Sequence, residues 1–180
     1  MNLYSDLPVR VDKKQNTFHA VVEISKGSSN KIEYQSDGGY FMLDRALYQS
    51  FFYPFDYGFI PQTIAGDNDP LDVMLLVTQP TFPGCVIKAR AIWCIDIVDT
   101  KWHDVKILAV PIHEVDPRRD EVQSYKDLPA HIQQELLLFF KEYRKLETAK
   151  YDKIKIGGFM SVKTALDYIK DAKGNYEKRH

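Results

Sequence analysis

Gly84-Cys85-Val86-Ile87-Lys88-Ala89-Arg90-Ala91-Ile92-Trp93-Cys94-Ile95-Asp96-Ile97-Val98-Asp99 is dense in valine, isoleucine and tryptophan and reads as one long strand. A second such run, Asp104 to Val110, follows the connection Thr100-Lys101-Trp102-His103, so the two read as a hairpin. Upstream, Thr17 to Ser25 is a strand built on Val21, Val22 and Ile24, and Gly27-Ser28-Ser29-Asn30 is a turn. Lys31 to Gln35 and Tyr40 to Asp44 are two more strands, joined by the hairpin turn Asp37-Gly38-Gly39. Asp72 to Val77 is a short buried strand entered from Pro70. Downstream, Pro129 suits a first helical position, and Ile132, Leu136, Phe139, Phe140, Tyr143 and Leu146 recur at helical spacing. Ser161 suits the cap of a last helix carrying Val162, Leu166 and Ile169 on one face. Many strands followed by late helices predict an α+β fold, a small β-barrel with helices packed on it.

The chain has 180 residues, enough for one domain that buries about 70% of its unfolded surface without disulfide or zinc. No internal repeat or Gly/Ser/Pro-rich linker interrupts it, so residues 1–180 are expected to form a single domain. Lys and Arg total 24 against 25 for Asp and Glu, a balance that argues against a nucleic-acid or membrane-surface binder. The first residues contain no apolar stretch of signal-peptide type, and Val73 to Val77 and Leu136 to Phe140 are too short to span a bilayer. Cys85 and Cys94 fit no zinc spacing and are expected as buried thiols of a reducing compartment. The expectation is a cytoplasmic globular protein.

The most informative stretch chemically is Gly66-Asp67-Asn68-Asp69-Pro70-Leu71-Asp72. In an extended chain Asp67 and Asp69 share a face, Pro70 stiffens the loop, and Asp72 puts a charge at the start of an apolar strand. Three carboxylates about 6 Å apart repel by roughly 3 kcal/mol per pair at an effective dielectric near 20, roughly 8 kcal/mol in all. That rivals the stability of a domain, about 5–15 kcal/mol, and a divalent cation relieves it best. Oxygen donors without His or Cys point to Mg²⁺ or a similar hard metal rather than zinc. An EF-hand is excluded, because Asp72 and Thr78 stand where that loop needs Gly and Glu. A solvated acidic turn accounts for the triplet alone equally well. Asp99 and Asp104 bracket the hairpin connection, with Lys106 two residues beyond Asp104 on the same strand face, and alone they would be ordinary turn chemistry.

Cationic and phenolic groups complete the pattern. Lys31 and Glu33 alternate along one strand, Arg45 closes the next and Glu23 lies on the first. Tyr53-Pro54-Phe55-Asp56-Tyr57-Gly58-Phe59-Ile60-Pro61 reads as a stiff aromatic loop whose tyrosines aim into a cavity. Cations opposite carboxylate-held metal are what a phosphate ligand needs. No P-loop is present. Individually, Lys31, Arg45 and Arg144 are equally at home on a solvated face, and Tyr143 in a core.

Together these segments resemble the soluble family I inorganic pyrophosphatases, from about Val21 to the last helix. The carriers are Val22-Glu23-Ile24-Ser25, Lys31-Ile32-Glu33-Tyr34, Leu43-Asp44-Arg45, Tyr53-Pro54, Tyr57-Gly58-Phe59-Ile60-Pro61-Gln62-Thr63 and the aspartate loop. Asp99, Asp104-Val105-Lys106, Asp127-Leu128-Pro129 and Phe139-Phe140-Lys141-Glu142-Tyr143 follow in order. The resemblance implies an OB-like five-stranded β-barrel flanked by two helices in the C-terminal half, and Mg²⁺-dependent hydrolysis of pyrophosphate to two phosphates. It implies several Mg²⁺ ions, with Mn²⁺ as a substitute, on Asp67, Asp72 and Asp104, with Asp99 completing a further site. Asp69 matches the general base, and Lys31, Arg45, Tyr57 and Tyr143 the groups that hold phosphoryl oxygens. Glu23, Glu33, Tyr53 and Lys106 match supporting positions, Glu23 on the metal side and the others on the substrate side.

Four positions depart from the family pattern. Arg144 stands where many relatives carry Lys, a planar fork in place of a point charge. Asn68 replaces a common Gly. Lys101 and His103 occupy a connection that is often acidic in relatives, and are expected to raise the Mg²⁺ requirement. Bacterial relatives are commonly hexamers, so a homo-oligomer is implied. The alternative from another class is an OB-like binding module that has lost catalysis.

Overall fold

The computed structural model describes residues 1–9, 12, 14–99, 102–147 and 154–180, apart from the side chains of residues 99, 102, 103 and 154. Its strands are β1 (Thr17–Ile24), β2 (Asn30–Gln35), β3 (Tyr40–Ala46), β4 (Asp56–Phe59), β5 (Asp72–Leu75), β6 (Val86–Asp99), β7 (Trp102–Pro111) and β8 (Ile154–Met160). The helices are α1 (Ala130–Glu142) and α2 (Val162–Arg179). Strands β1-β4-β5-β7-β6 lie side by side, and β1 pairs again with β6, which closes them into a ring of five. The α+β barrel expected from the sequence is therefore present. Strand β8 adds to the free flank of β6, and β2–β3 form a separate hairpin.

At the centre of the ring, β5 and β7 are apolar on both faces. Val73, Leu75, Ile107 and Ala109 point into one cluster, completed by Ala165, Ile169 and Ala172 of α2. The intervening Met74, Leu76, Leu108 and Val110 point into another, completed by Leu136, Phe139 and Phe140 of α1. This is period-2 alternation with both faces covered by helix, so Val73 to Leu76 and Ile107 to Val110 each read as an unbroken hydrophobic run. Ser161 caps α2, its side chain accepting from the Thr164 N–H at 3.1 Å. Among the described residues no helix is long and apolar enough to cross a membrane.

The structure corrects several boundaries. The aromatic loop contains β4, which pairs with both β1 and β5 and so is a ring strand. Helix α1 starts after Pro129 and ends at Glu142, leaving Leu146 on a following turn and 56% exposed rather than on the apolar stripe. Trp102 and His103 belong to β7, paired with Asp99 and Val98. Of the expected connection, Thr100 and Lys101 lie outside the described residues. Cys94 is buried and Cys85 only half-buried, both as free thiols.

Candidate active site

A cavity of about 410 Å³ gathers side chains from most elements of the fold. Strand β1 contributes Glu23, aimed there by a bulge: Val22 and Ile24 pair with consecutive residues Gly58 and Tyr57, so Glu23 is left over. Strand β2 contributes Lys31 and Glu33, and β4 contributes Tyr57, with Tyr53 just before it. Asp67 and Asp69 enter from the loop before β5, Asp72 from its first residue, and Asp104 and Lys106 from β7. Tyr143 and Arg144 reach in from the C-terminal end of α1. Thus, among the described side chains, the cavity brings together every candidate site residue read from the sequence except Arg45. The side chain of Asp99 lies outside the described residues, as does that of His103. Arg45 does not line the cavity, and its guanidinium is held by Glu147 and Asp44.

The aspartate loop is folded back rather than extended. The Asp69 N–H donates to Asp67 Oδ1 at 3.1 Å, and the Ala65 N–H to the Asp69 carbonyl at 2.8 Å. Asn68 between them has φ 74°, a left-handed conformation that Asn tolerates better than most side chains, which explains how it stands for Gly. Thr63 Oγ1 accepts from the Leu71 N–H at 2.9 Å, anchoring the loop just before Asp72. Asp67 and Asp69 share the cavity through this turn, not through strand alternation.

Carboxylates crowd the cavity. Burial raises the Asp69 carboxyl, and Asp67, Asp72 and Glu33 add to it while Lys106 opposes. Burial likewise raises Asp104, with Asp72 adding and Lys106 opposing. Glu23 is pushed up to about 8, mainly by burial and against the Tyr34 N–H that it accepts at 2.7 Å. The Lys106 ammonium lies between Asp72 and Asp104, 2.5 Å from Asp104 Oδ1, and over the Tyr57 ring at 5.9 Å. Burial lowers its pKa but the two aspartates outweigh that, and it stays charged.

Among the described residues no three His, Cys, Asp or Glu stand ready-made around an ion. The donor chemistry nonetheless fits a hard divalent cation. Asp67, Asp72 and Asp104 offer only oxygen, and Asp104 is raised by burial and a neighbouring carboxylate, an opposition that a cation removes. Such an ion would have to draw Asp72 or Asp104 away from Lys106.

Cationic and phenolic groups share the cavity with these carboxylates. Lys31 pairs with Glu33 and stands 3.3 Å from Asp44, the residue left over at a bulge in β3. Arg144 stacks on Tyr143 at 5.1 Å. Burial raises both Tyr57 and Tyr143, which keeps their hydroxyls protonated and able to donate. Tyr53, Phe139 and Tyr143 make an aromatic floor, with ring centroids 4.9 Å apart from Tyr53 to Phe139 and again from Phe139 to Tyr143.

Tyr4 and Tyr34 also line the cavity and were not singled out from the sequence. The Tyr34 hydroxyl accepts from the Leu3 N–H at 2.9 Å, and the Tyr4 hydroxyl donates to the Thr63 carbonyl at 2.9 Å. No local motif marks Tyr4, because it reaches the site only through tertiary contacts. Tyr34 had a weak signal in its adjacency to Lys31 and Glu33.

The family model described as inorganic pyrophosphatase matches residues 20–177. The chain is 43% identical over 164 residues to the inorganic pyrophosphatase of Synechocystis sp., covering 91% of this chain and 94% of that one. To the enzyme of the same name from Geobacillus stearothermophilus it is 41% identical over 160 residues, covering 89% and 94%. The crystal structure of inorganic pyrophosphatase from Thermus thermophilus superposes with a TM-score of 0.90 at 39% identity, over 98% of this chain and 99% of that one.

Proposed function

The chain belongs to the inorganic pyrophosphatase family, and we propose that its cavity hydrolyses pyrophosphate to two phosphates with Asp69 as general base and Mg²⁺ on Asp67, Asp72 and Asp104. Hydrolysis of pyrophosphate is the function of this family, whose members are enzymes and depend on metal ions in general. The observation that carries the assignment of roles is the meeting, in one cavity, of Asp67, Asp69, Asp72 and Asp104 with Lys31, Arg144, Tyr57 and Tyr143.

Pyrophosphate carries several negative charges, which repel an attacking oxygen. Mg²⁺, or Mn²⁺ in its place, held on these aspartates with Asp99 and Glu23 completing further sites, would neutralise the phosphoryl charge and acidify water beside it. Asp69, on the same loop as Asp67 and Asp72, takes the proton of the attacking water, which the ion would already have acidified. The water oxygen bonds to one phosphorus, the bridging P–O bond breaks, and its electron pair leaves with the second phosphate. Lys31, Arg45, Arg144 and the hydroxyls of Tyr57 and Tyr143 donate to the phosphoryl oxygens and hold the charge that develops on the departing group. Lys106, Glu33 and Tyr53 orient those donors. A binding module without catalysis would have no use for a base between metal carboxylates.

The same reading takes residues 1–180 as one domain and the free thiols as those of a cytoplasmic protein. It also includes a homo-oligomer, which would cover exposed apolar side chains such as Leu43, Phe82 and Leu138; light scattering measures it. The deciding assay is phosphate release from pyrophosphate with and without Mg²⁺, in the wild type and in Asp69→Asn. Mg²⁺-dependent release that collapses in the variant supports the base. Release that survives moves the base elsewhere, and no release from the folded wild type with Mg²⁺ or Mn²⁺ sinks the reading.

A further inference from the structure

Arg45 is the one proposed phosphate-holding residue whose side chain does not line the cavity. Its strand partner Lys31 does line it, and Asp44 lies between the two cations, 3.3 Å from Lys31 and paired with Arg45, so the guanidinium is held at the rim of the cavity. The whole guanidinium fork is engaged. Nε donates to Glu147 Oε1 at 3.0 Å and Nη2 to Glu147 Oε2 at 3.1 Å, while Nη1 pairs with Asp44. The side chains of Arg45 and Glu147 are only 17% and 8% exposed, so water weakens this pair little. Glu147 is itself fixed by its N–H, which donates to the Arg144 carbonyl at 2.8 Å. It therefore belongs to the turn that presents Tyr143 and Arg144 to the cavity, without lining the cavity itself.

We propose that Glu147 is a positioning residue that latches Arg45 away from the cavity in the free enzyme and releases it to the phosphoryl oxygens of pyrophosphate. This rests on the reading that Arg45 holds substrate. A guanidinium fork grips a carboxylate and a phosphate by the same two parallel hydrogen bonds, so Arg45 can exchange one for the other with its donors satisfied throughout. Glu147 keeps a counter-charge when Arg45 leaves, because it also lies in the field of Arg144. The exchange lowers affinity for substrate and product alike, and a returning Glu147 carboxylate helps to displace phosphate.

The test compares the wild type with Glu147→Gln, Arg45→Ala and the double variant. It reads KM and kcat for pyrophosphate at saturating Mg²⁺, and the Kd of inorganic phosphate by calorimetry. Loosening the latch is expected to lower KM and the phosphate Kd together by about three- to tenfold, the scale of one charged hydrogen bond, with kcat equal or lower. In the Arg45→Ala background the same substitution is expected to change neither constant. Should Glu147→Gln fail to fold, Glu147→Asp keeps the charge, shortens the reach, and is expected to lower both constants by a smaller factor. An unchanged or raised KM in folded variants overturns the latch. An Arg45→Ala enzyme with wild-type KM and kcat instead sinks the role of Arg45 in holding substrate, and the two failures are distinguishable.

Discussion

Gly58 lies against the main chain of Val21, so close that a Cβ built on it would stand 1.9 Å from the Val21 carbonyl oxygen. The next nearest atoms, at 2.9 Å, are also backbone, so no side-chain rotation makes room. Gly58 sits in β4 between cavity-lining Tyr57 and Phe59, and pairs with Val22 of β1 and Val73 of β5. Gly58→Ala must push β4 off β1, and is expected to lower stability by about 3 kcal/mol in urea unfolding, the upper range for overpacking. Because Tyr57 moves with the strand, the KM for pyrophosphate rises as well. A variant with wild-type midpoint and KM would show that β1 and β4 tolerate separation here.

Lys106 supplies the positive charge that holds Asp72 and Asp104 together. Lys106→Gln leaves two partly buried carboxylates facing each other. In chelator this variant is expected to lose about 2 kcal/mol, less than the usual loss for a broken buried pair because both aspartates keep roughly a quarter of their exposure. The same change removes the competitor for those carboxylates, so Mg²⁺ raises the melting temperature of the variant more than that of the wild type. Equal Mg²⁺ increments in the two proteins would mean that Lys106 and the ion do not share these groups.

The ring was legible where strands are local and apolar, and less so where pairing is distant. Strands β1, β6 and β7 declare themselves through Val, Ile and Trp, whereas β4 is four residues of mixed type that owe their extension to neighbours on both sides. Strand β8 has its run of strand formers broken by two adjacent glycines and is held by pairing with β6. For the site, charge carried the information. A carboxylate such as Asp72 at the head of an apolar strand is anomalous on sight. What charge alone does not reveal is direction: Arg45 keeps its neighbour Asp44 on Nη1, yet Nε and Nη2 go to Glu147, on the turn after α1. The bulge that aims Glu23 is equally silent in sequence, because it exists only in the register of β1 on β4.

His113 stands on the surface with its Nδ1 2.5 Å from Asp120 Oδ2. The hydrogen bond to Asp120, and then the charge of that carboxylate, raise the His113 pKa above its ordinary 6.5. A raised folded-state value means that the pair favours the folded protein fully at pH below the unfolded pKa. The contribution fades as pH rises through the higher folded pKa. Both side chains are largely in water, so the effect is expected in the titration of the ring more than in the melting temperature. An NMR titration of the His113 ring protons between pH 5 and 9 reads it directly: the midpoint lies above 6.5 in the wild type and falls back in Asp120→Asn. Any difference in melting temperature between the two proteins is expected near pH 6 and to vanish by pH 9. A midpoint that is the same in both proteins would show that in solution the imidazole does not keep Asp120 as its partner.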